Sequence, residues 1–223
     1  MTRKLFMEAM TKFAAGVLLC GALIFGCAGT FDYAQGWLLM GVLFIPMFIA
    51  GVVMMVKSPA LLEKRMRAKE KQAAQIAVVS LSALMFIGGF ALAGLTRRFG
   101  WPMLPMGVSV AAAVVLMLAY AMFGEVLREN EFLSRSVEIQ ENQRVVDTGL
   151  YGVVRHPMYS ATIALFLAMP LVLGSWQSFL VFLVYPALIA VRIGNEERVL
   201  EDGLEGYAAY KQKVRYRLIP FIW

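Results

Sequence analysis

The chain has 223 residues, of which 60% are hydrophobic and only 16% are charged. Soluble domains average about 45–50% apolar and about 25% charged residues, so this composition excludes an ordinary soluble domain. The net charge of +6 does not indicate nucleic-acid binding, because the basic residues gather in alternate loops, as they do in membrane proteins. The composition therefore predicts an all-α integral membrane protein in contact with a lipid bilayer.

The first four predicted elements are charge-free runs, each long enough for one membrane-spanning helix of about 20 residues. The first run is too long for a secretory signal peptide, and no cleavage site followed by a soluble domain is visible after it. It holds both cysteines, Cys20 and Cys27, which are too far apart on one helix to pair with each other. The four runs cover residues 13–31, 33–56, 72–96 and 99–124.

The fifth run, residues 157–191, decides the topology. As a single helix its 35 residues would reach about 52 Å, whereas the hydrocarbon core of a bilayer is about 30 Å thick. The run must therefore fold back, and Gly174-Ser175 is the natural turn, with Pro170 weakening the helix before it. We expect a hairpin of two helices of about 17 residues each, close to the shortest helix that can span a bilayer.

The basic residues predict the orientation of the chain. Of the 21 basic residues, 19 fall on one side of this topology and only Arg97 and Arg98 on the other. Basic loops favour the cytoplasmic side, so both termini are expected there, in a bacterial inner membrane or an endoplasmic-reticulum-type membrane. The predicted fold has five to six transmembrane helices, the C-terminal hairpin included, and a cytoplasmic C-terminal helix. We divide it into N-terminal transmembrane helices, residues 1–128, and a predicted catalytic region, residues 129–223.

Two connectors on the predicted cytoplasmic side are polar. Residues 57–71 are predicted to form a basic amphipathic helix after Ser58-Pro59 or, alternatively, a solvated connector that faces the lipid headgroups. Residues 123–135 are expected to extend the fourth helix into the cytosol. The segment VVDTGLYGVV is expected to turn at Asp147-Thr148-Gly149.

Polar clusters flank the hairpin at its two ends. The stretch RHPMY, Arg155 to Tyr159, precedes it, and Pro157 suits the first turn of a helix, whose N–H groups can bind an anion. The stretch RIGNEERVL follows it with Glu196 and Glu197, which point about 100° apart on a helix, so that one of them faces a given site. Because a hairpin returns the chain to the side it left, the two clusters are expected to meet at the cytoplasmic membrane surface.

Each cluster alone also has a purely structural explanation. Arg155 and Tyr159 are typical interfacial anchors, and an acidic pair near a helix start is stabilised by the helix dipole. Arg192 and Glu196 are spaced to pair on one helix face. His156 is the only histidine, and no cluster of cysteine, histidine and carboxylate residues has metal-ligand spacing, so no metal is expected.

The segments DTGLYGVVRHPMY, the hairpin, NEERVL and LEGYAAYKQKVRYRLIP occur in an order that closely resembles the catalytic C-terminal half of the isoprenylcysteine carboxyl methyltransferase family. Phospholipid N-methyltransferases share a related pattern. The resemblance covers about residues 147–223. The chain departs from the family's RHPxYxG motif at Ala161, where glycine is usual. It also has Leu204-Glu205 where the family has a phenylalanine-glycine pair.

The resemblance implies an integral membrane methyltransferase that uses S-adenosylmethionine as its cofactor and acts on a lipophilic small-molecule or prenylated substrate. The implied acceptor is the carboxylate of an isoprenylated cysteine or, as alternatives, a phospholipid amine or a thiol. Arg155, Glu196 and Glu197 are the predicted catalytic residues. The predicted cofactor-binding residues are Tyr151, Arg155, His156, Pro157, Tyr159, Glu196 and Glu197, and the predicted substrate-binding residues are Arg192, Tyr207 and Tyr210.

The chemistry of these residues agrees with that class. The carboxylates of Glu196 and Glu197 suit the cationic groups of the cofactor, and Arg155 suits its carboxylate. A sterol-type membrane reductase that uses NADPH and a non-enzymatic scaffold are the competing classes. The lack of a basic cluster near the motifs for a 2′-phosphate argues against the reductase. The near absence of ionisable residues within the helices argues against ion-driven transport.

Overall fold

A computed structural model of the protein describes residues 3–59, 62–63, 66, 72–133 and 137–223, and within these ranges its regular elements are all helical. Helix α1, Arg3–Gly21, is continued by a π-helical segment, Ala22–Gly26. The other α-helices are α2 Ala34–Lys57, α3 Ala73–Arg98, α4 Met106–Glu129, α5 Pro157–Val172, α6 Trp176–Phe182, α7 Val184–Gly203 and α8 Tyr207–Lys213, and a 3-10 helix covers Gly149–Gly152.

Within the described ranges, five helical segments are long and apolar enough to cross a membrane, which confirms the predicted all-α integral membrane fold. They are Lys4–Gly26, Ala34–Lys57, Gln75–Arg98, Met106–Glu129 and Trp176–Gly203. The amphipathic helix predicted for the connector 57–71 lies largely outside the described residues, as does Arg135. Helix α4 ends at Glu129 rather than extending to residue 135.

The predicted C-terminal hairpin is present, with its turn at Gly174-Ser175. Gly174 has φ of +70°, a left-handed conformation that glycine adopts without strain. The Ser175 hydroxyl caps the second arm by accepting a hydrogen bond from the Ser178 N–H at 3.1 Å. The turn is therefore stabilised by the left-handed conformation of Gly174 and by the helix cap that Ser175 provides.

The arms of the hairpin are unequal, although two helices of similar length were expected. The first arm, α5, has 16 residues, whereas the second runs over Trp176–Gly203 for 28 residues. The second arm continues past its charged residues, of which Arg192 and Glu197 are buried by the rest of the chain rather than exposed at a membrane surface.

The neighbouring helices align with the hairpin turn through three hydrogen bonds. The Tyr33 hydroxyl, just before α2, donates to the Leu173 carbonyl at 2.5 Å. The Leu104 N–H, just before α4, donates to the Gly174 carbonyl at 2.8 Å. The hydroxyls of Thr96, near the end of α3, and Ser175 lie 3.0 Å apart. These bonds place one end of α2, α3, α4 and α5 at a common level.

Helix α5 lies inside the bundle and packs most extensively against α4. The face that α4 buries includes the small residues Ser109, Ala112, Ala113 and Ala119, which let two helix backbones approach closely. None of the residues of α5 is exposed. The start of α5 is consequently held at a fixed position among the longer helices that surround it.

The C-terminal tail returns to the start of α5 after α8. The Arg155 N–H donates to the Tyr216 carbonyl, and the His156 N–H donates to the Arg217 carbonyl, both at 2.9 Å. The Ser160 hydroxyl donates to the Leu218 carbonyl at 2.7 Å. The tail therefore forms part of the structure around the first turn of α5.

Candidate active site

A cavity of about 860 Å³, its open mouth included, lies at the end of the bundle where α5 begins and α7 ends. Its walls come from residues within 130–133 and 137–146, the first turn of α5, the last turns of α7 and helix α8. Ligand cavities combine apolar walls with a few polar groups. This cavity has residues of both kinds, which makes it the candidate ligand site.

The hairpin brings the predicted site residues together around this cavity. All of them line it except Pro157 and Glu197. The residues that line it are Tyr151, Arg155, His156, Tyr159, Arg192, Glu196, Tyr207 and Tyr210. The two polar clusters on either side of the hairpin thus meet, as their positions before and after a folded-back run indicate.

The first turn of α5 is built as the sequence predicts. Pro157 is the first helical residue, His156 is the N-cap residue, and Arg155 stands just outside the helix. The N–H groups of Arg155 and His156, however, are used by carbonyls of the C-terminal tail. These two N–H groups are therefore not the anion-binding donors that a bare helix start would offer.

Glu197 is the centre of a buried ion cluster. Its side chain is 3% exposed. One carboxylate oxygen accepts a hydrogen bond from Arg155 Nε at 2.8 Å and lies 3.2 Å from His156 Nε2. The other accepts from Arg217 Nε at 3.0 Å and Nη2 at 2.8 Å. Buried charges are stable only when paired in this way. Glu197 therefore does not line the cavity itself but holds Arg155 and His156, which do.

Arg155 is anchored by more than Glu197. Its Nη1 donates to the carbonyls of Val214 and Arg215, each at 2.7 Å. The guanidinium is 4% exposed and yet belongs to the cavity wall. Its orientation is therefore fixed by the protein, and its direct contact with a cofactor remains a prediction.

Glu196 faces the cavity at the end of a short chain of hydrogen bonds. Arg192 Nε donates to the Tyr159 hydroxyl at 2.8 Å, and that hydroxyl donates to Glu196 Oε2 at 2.5 Å. The Glu196 side chain is 24% exposed, and its other oxygen lies 3.9 Å from His156 Nδ1. Of the two adjacent glutamates, Glu196 therefore presents a carboxylate to the cavity and Glu197 holds the scaffold.

Two tyrosines of α8 complete the wall. The Tyr210 hydroxyl donates to the Tyr151 carbonyl at 2.8 Å. The Tyr207 hydroxyl is buried and has no hydrogen-bond partner in the described part of the chain. Burial raises the pKa of Tyr207, and the carboxylates of Glu197 and Glu196 raise it further, so this hydroxyl stays protonated. A buried polar group without a partner costs free energy, which makes it a candidate ligand contact.

Tyr151 supports the opposite wall. Its hydroxyl accepts a hydrogen bond from the Asn130 amide at 2.9 Å. Burial raises the pKa of Tyr151 to about 12, although the hydrogen bond from Asn130 has the opposite effect and lowers this pKa. The turn beside it is fixed by Glu129, which accepts hydrogen bonds from the Thr148 hydroxyl at 2.9 Å and the Leu150 N–H at 3.2 Å.

Sequence reasoning missed one wall of the cavity and the residue that completes the ion cluster. The missed wall comes from the irregular segment 130–146, where only its polarity stood out. The sequence places Arg217 only among the basic residues of the tail, in a segment expected to return to the membrane interface. No spacing signal links Arg217 to Glu197, because their contact depends on how the tail returns to α5. The missed lining residues include Asn130, Phe132, Leu133, Val137, Gln143 and Val145.

The candidate site is thus a cavity with polar and apolar lining residues, among them the carboxylate of Glu196, at one end of a bundle whose helices are long and apolar enough to span a membrane. Residues 104–205 match the family model described as phospholipid methyltransferase. The match covers less than half of the chain, so over this region the chain is similar to that family of methyltransferases. No curated protein matches the chain significantly.

The region matched to the family includes much of the candidate site. It starts just before α4 and ends just after α7, so it contains the hairpin, Arg155, Glu196 and Glu197. Helix α8 and the C-terminal tail, with Tyr207, Tyr210 and Arg217, lie beyond it. The match supports the predicted methyltransferase class over the sterol-type reductase and the non-enzymatic scaffold.

Proposed function

We propose that the protein transfers a methyl group from S-adenosylmethionine to a lipophilic acceptor, with both bound at the cavity between α5, α7 and α8. One observation carries the proposal beyond the family. The cavity is lined by the carboxylate of Glu196 and by Tyr207, whose buried hydroxyl has no hydrogen-bond partner among the residues that the structure describes.

The residues of the cavity fit the chemistry of this cofactor. S-adenosylmethionine supplies an electrophilic methyl group on a sulfonium and also carries an ammonium and a carboxylate. Glu196 suits the cationic groups. Tyr207 can donate to or accept from a polar group of the ligand. Arg155, oriented by Glu197, is the candidate partner for the cofactor carboxylate. Apolar wall residues such as Leu204 suit the faces of an adenine ring.

The protein contributes positioning and exclusion of water. Methyl transfer from a sulfonium to an anionic acceptor neutralises charge, so it gains from a fixed, dry arrangement more than from an acid or a base. The buried Glu197 cluster supplies the rigid part of that arrangement. Tyr159 keeps Glu196 in place through the 2.5 Å hydrogen bond, and Arg192 holds Tyr159 in turn.

The acceptor is proposed to be lipophilic because the cavity opens at the end of a membrane bundle. The order of the motifs supports the carboxylate of an isoprenylated cysteine. The description of the matched family supports a phospholipid amine as the second candidate. An amine acceptor must lose a proton, and Glu196 is a carboxylate in the cavity wall able to receive it. A thiol is the third candidate.

Ligand binding in detergent tests the proposal. S-adenosylhomocysteine should raise the thermal unfolding temperature of the purified protein, and NADPH should not. Glu196→Gln should weaken S-adenosylhomocysteine binding by about one to two decades, because a charge-assisted hydrogen bond contributes about 1.5–3 kcal/mol. Glu201→Gln is the matched control, since Glu201 lies on the same helix and pairs with Lys211 outside the cavity.

Two results would overturn the proposal. One is a wild-type protein that binds NADPH but not S-adenosylhomocysteine. The other is equal affinity of the Glu196→Gln and Glu201→Gln variants. Transfer of a tritiated methyl group to prenylcysteine, phospholipid-amine and thiol acceptors in vesicles then separates the three acceptor classes.

A further inference from the structure

We infer that Arg217 is a positioning residue for the proposed methyl-transfer site, although it lies outside the cavity wall and beyond the region matched to the family. It acts through Glu197, which in turn orients Arg155 and His156. The inference rests on the proposed function, because its effect is read as binding of the cofactor product.

One carboxylate oxygen of Glu197 contacts residues of the cavity wall, and the other contacts the C-terminal tail. Oε1 faces Arg155 and His156, both of which line the cavity. Oε2 is held by the guanidinium of Arg217 through Nε at 3.0 Å and Nη2 at 2.8 Å. Two donors of one planar group on one carboxylate oxygen restrict how that carboxylate can rotate. Arg217 therefore sets the direction in which Oε1 meets the cavity wall.

The hydrogen bonding of the buried carboxylate also requires Arg217. Glu197 is 3% exposed and its Oε2 has Arg217 as its hydrogen-bonding side chain. Without it, the described contacts leave this buried oxygen with no donor, which is costly. Glu197 would then have to turn toward water or draw Arg155 and His156 away from their present positions. Either movement changes the cavity wall.

Arg217 is held in place at both of its ends. Its backbone carbonyl accepts the His156 N–H at 2.9 Å. Its guanidinium lies over the Trp223 ring at 5.1 Å from the ring centroid, a favourable cation–π distance. The same residue thus contacts the N-cap of α5 through its backbone and Glu197 through its side chain. A residue with this pair of contacts couples the tail to the site.

The test compares Arg217→Gln with Arg215→Gln in the full-length protein. Arg215 is the matched control because it lies two positions away in the same tail segment, is exposed, and contacts Arg155 only through its backbone carbonyl. Both variants remove one positive charge. S-adenosylhomocysteine affinity is measured by titration below the unfolding temperature of each variant.

We expect Arg217→Gln to weaken S-adenosylhomocysteine binding on the order of tenfold, the loss typical of a charged hydrogen bond, and Arg215→Gln to bind as the wild type does. Arg217→Lys should restore part of the affinity, since it keeps the charge but loses the planar fork. In a Glu197→Gln background, Arg217→Gln should cause little further loss, because coupled residues are not additive.

The outcomes separate this inference from the proposed function. If the wild type binds S-adenosylhomocysteine and Arg217→Gln binds it equally well, Arg217 only anchors the tail and the inference is overturned. Additive losses in the Glu197→Gln background overturn it as well. If Arg217→Gln does not fold, the affinity of Arg217→Lys decides, and wild-type affinity in that variant counts against the inference. A wild type that does not bind S-adenosylhomocysteine overturns the proposed function itself.

Discussion

Tyr207 and Tyr210 are neighbours on one short helix and line the same cavity, but their hydroxyls differ in what they contact. The Tyr210 hydroxyl is bonded to the Tyr151 carbonyl, whereas the Tyr207 hydroxyl has no partner among the described residues. The first hydroxyl contributes to the stability of the protein. The second contributes only when a ligand is bound.

This contrast gives a prediction for two conservative variants. Tyr210→Phe should lower the free energy of unfolding by about 1–3 kcal/mol, since it leaves a buried carbonyl without its donor. Tyr207→Phe should leave stability unchanged or slightly raise it, and should weaken S-adenosylhomocysteine binding. Denaturation of each variant and ligand titration check the two effects. A loss of stability in Tyr207→Phe equal to that in Tyr210→Phe would contradict this account.

At the scale of helices, glycines of α3 mark where other elements approach its backbone. A Cβ atom built on Gly94 would lie 2.5 Å from the Ile24 carbonyl oxygen and 2.8 Å from the Cys27 Cβ. A Cβ atom on Gly88 of the same helix would meet nothing within 4 Å. The π-helical segment after α1 therefore packs on α3 at a point where only hydrogen fits.

Gly94→Ala should accordingly destabilise the protein by about 1–3 kcal/mol, the usual cost of overpacking. Backbone atoms of the π-helical segment and its continuation would have to move to make room. Gly88→Ala, its control on the same helix, should unfold at the same temperature as the wild type or slightly above it. Thermal unfolding in one detergent compares the two, and equal unfolding temperatures would show that this packing is loose.

The helices were predictable where the sequence itself sets their limits. The 35-residue run had to fold back, and Gly174 supplies the left-handed turn. Pro157 fixed the start of α5 because proline fits the first helical turn. The length of α7 was not predictable, since Arg192 and Glu197 look like surface residues until the tail that buries them is in place. The 130–146 wall has no periodicity, so neither its path nor its role was accessible.

At the scale of the whole molecule, the orientation in the membrane remains a prediction from the distribution of basic residues. The hairpin places the Gly174-Ser175 turn at one end of the bundle and the cavity at the other. The basic residues of the tail surround the cavity end, whereas Arg97, paired with Asp32 at 3.0 Å, lies near the turn end. The cavity is therefore expected to open to the cytoplasm.

Cysteine labelling tests this orientation. Cys20 and Cys27 are first replaced by alanine, and a single cysteine is introduced by Phe99→Cys or by Glu205→Cys, both at exposed positions. An impermeant thiol reagent applied to sealed inside-out vesicles should label the Glu205→Cys protein and not the Phe99→Cys protein. The reverse pattern would show that the cavity faces away from the cytoplasm.

The short length of α5 has a consequence for where in the bilayer the chemistry takes place. Helices α2 and α4 have 24 residues each and α5 has 16, and the three share a level at the hairpin turn. At about 1.5 Å per residue, Pro157 lies about 12 Å below the far ends of its neighbours. The floor of the cavity is therefore expected to lie toward the hydrocarbon, where electrostatic attractions are less screened than in water.

Such a floor would let the proposed lipid acceptor react without leaving its leaflet. The polar end of such an acceptor needs only to tilt inward, while its chain stays among other chains. We expect a tryptophan introduced by Met158→Trp to be quenched by lipids brominated near the top of their chains, and one introduced by Glu205→Trp to escape quenching. In that arrangement the proposed water-soluble methyl donor would bind at the depth of the lipid, and the lipid acceptor would not have to leave the bilayer.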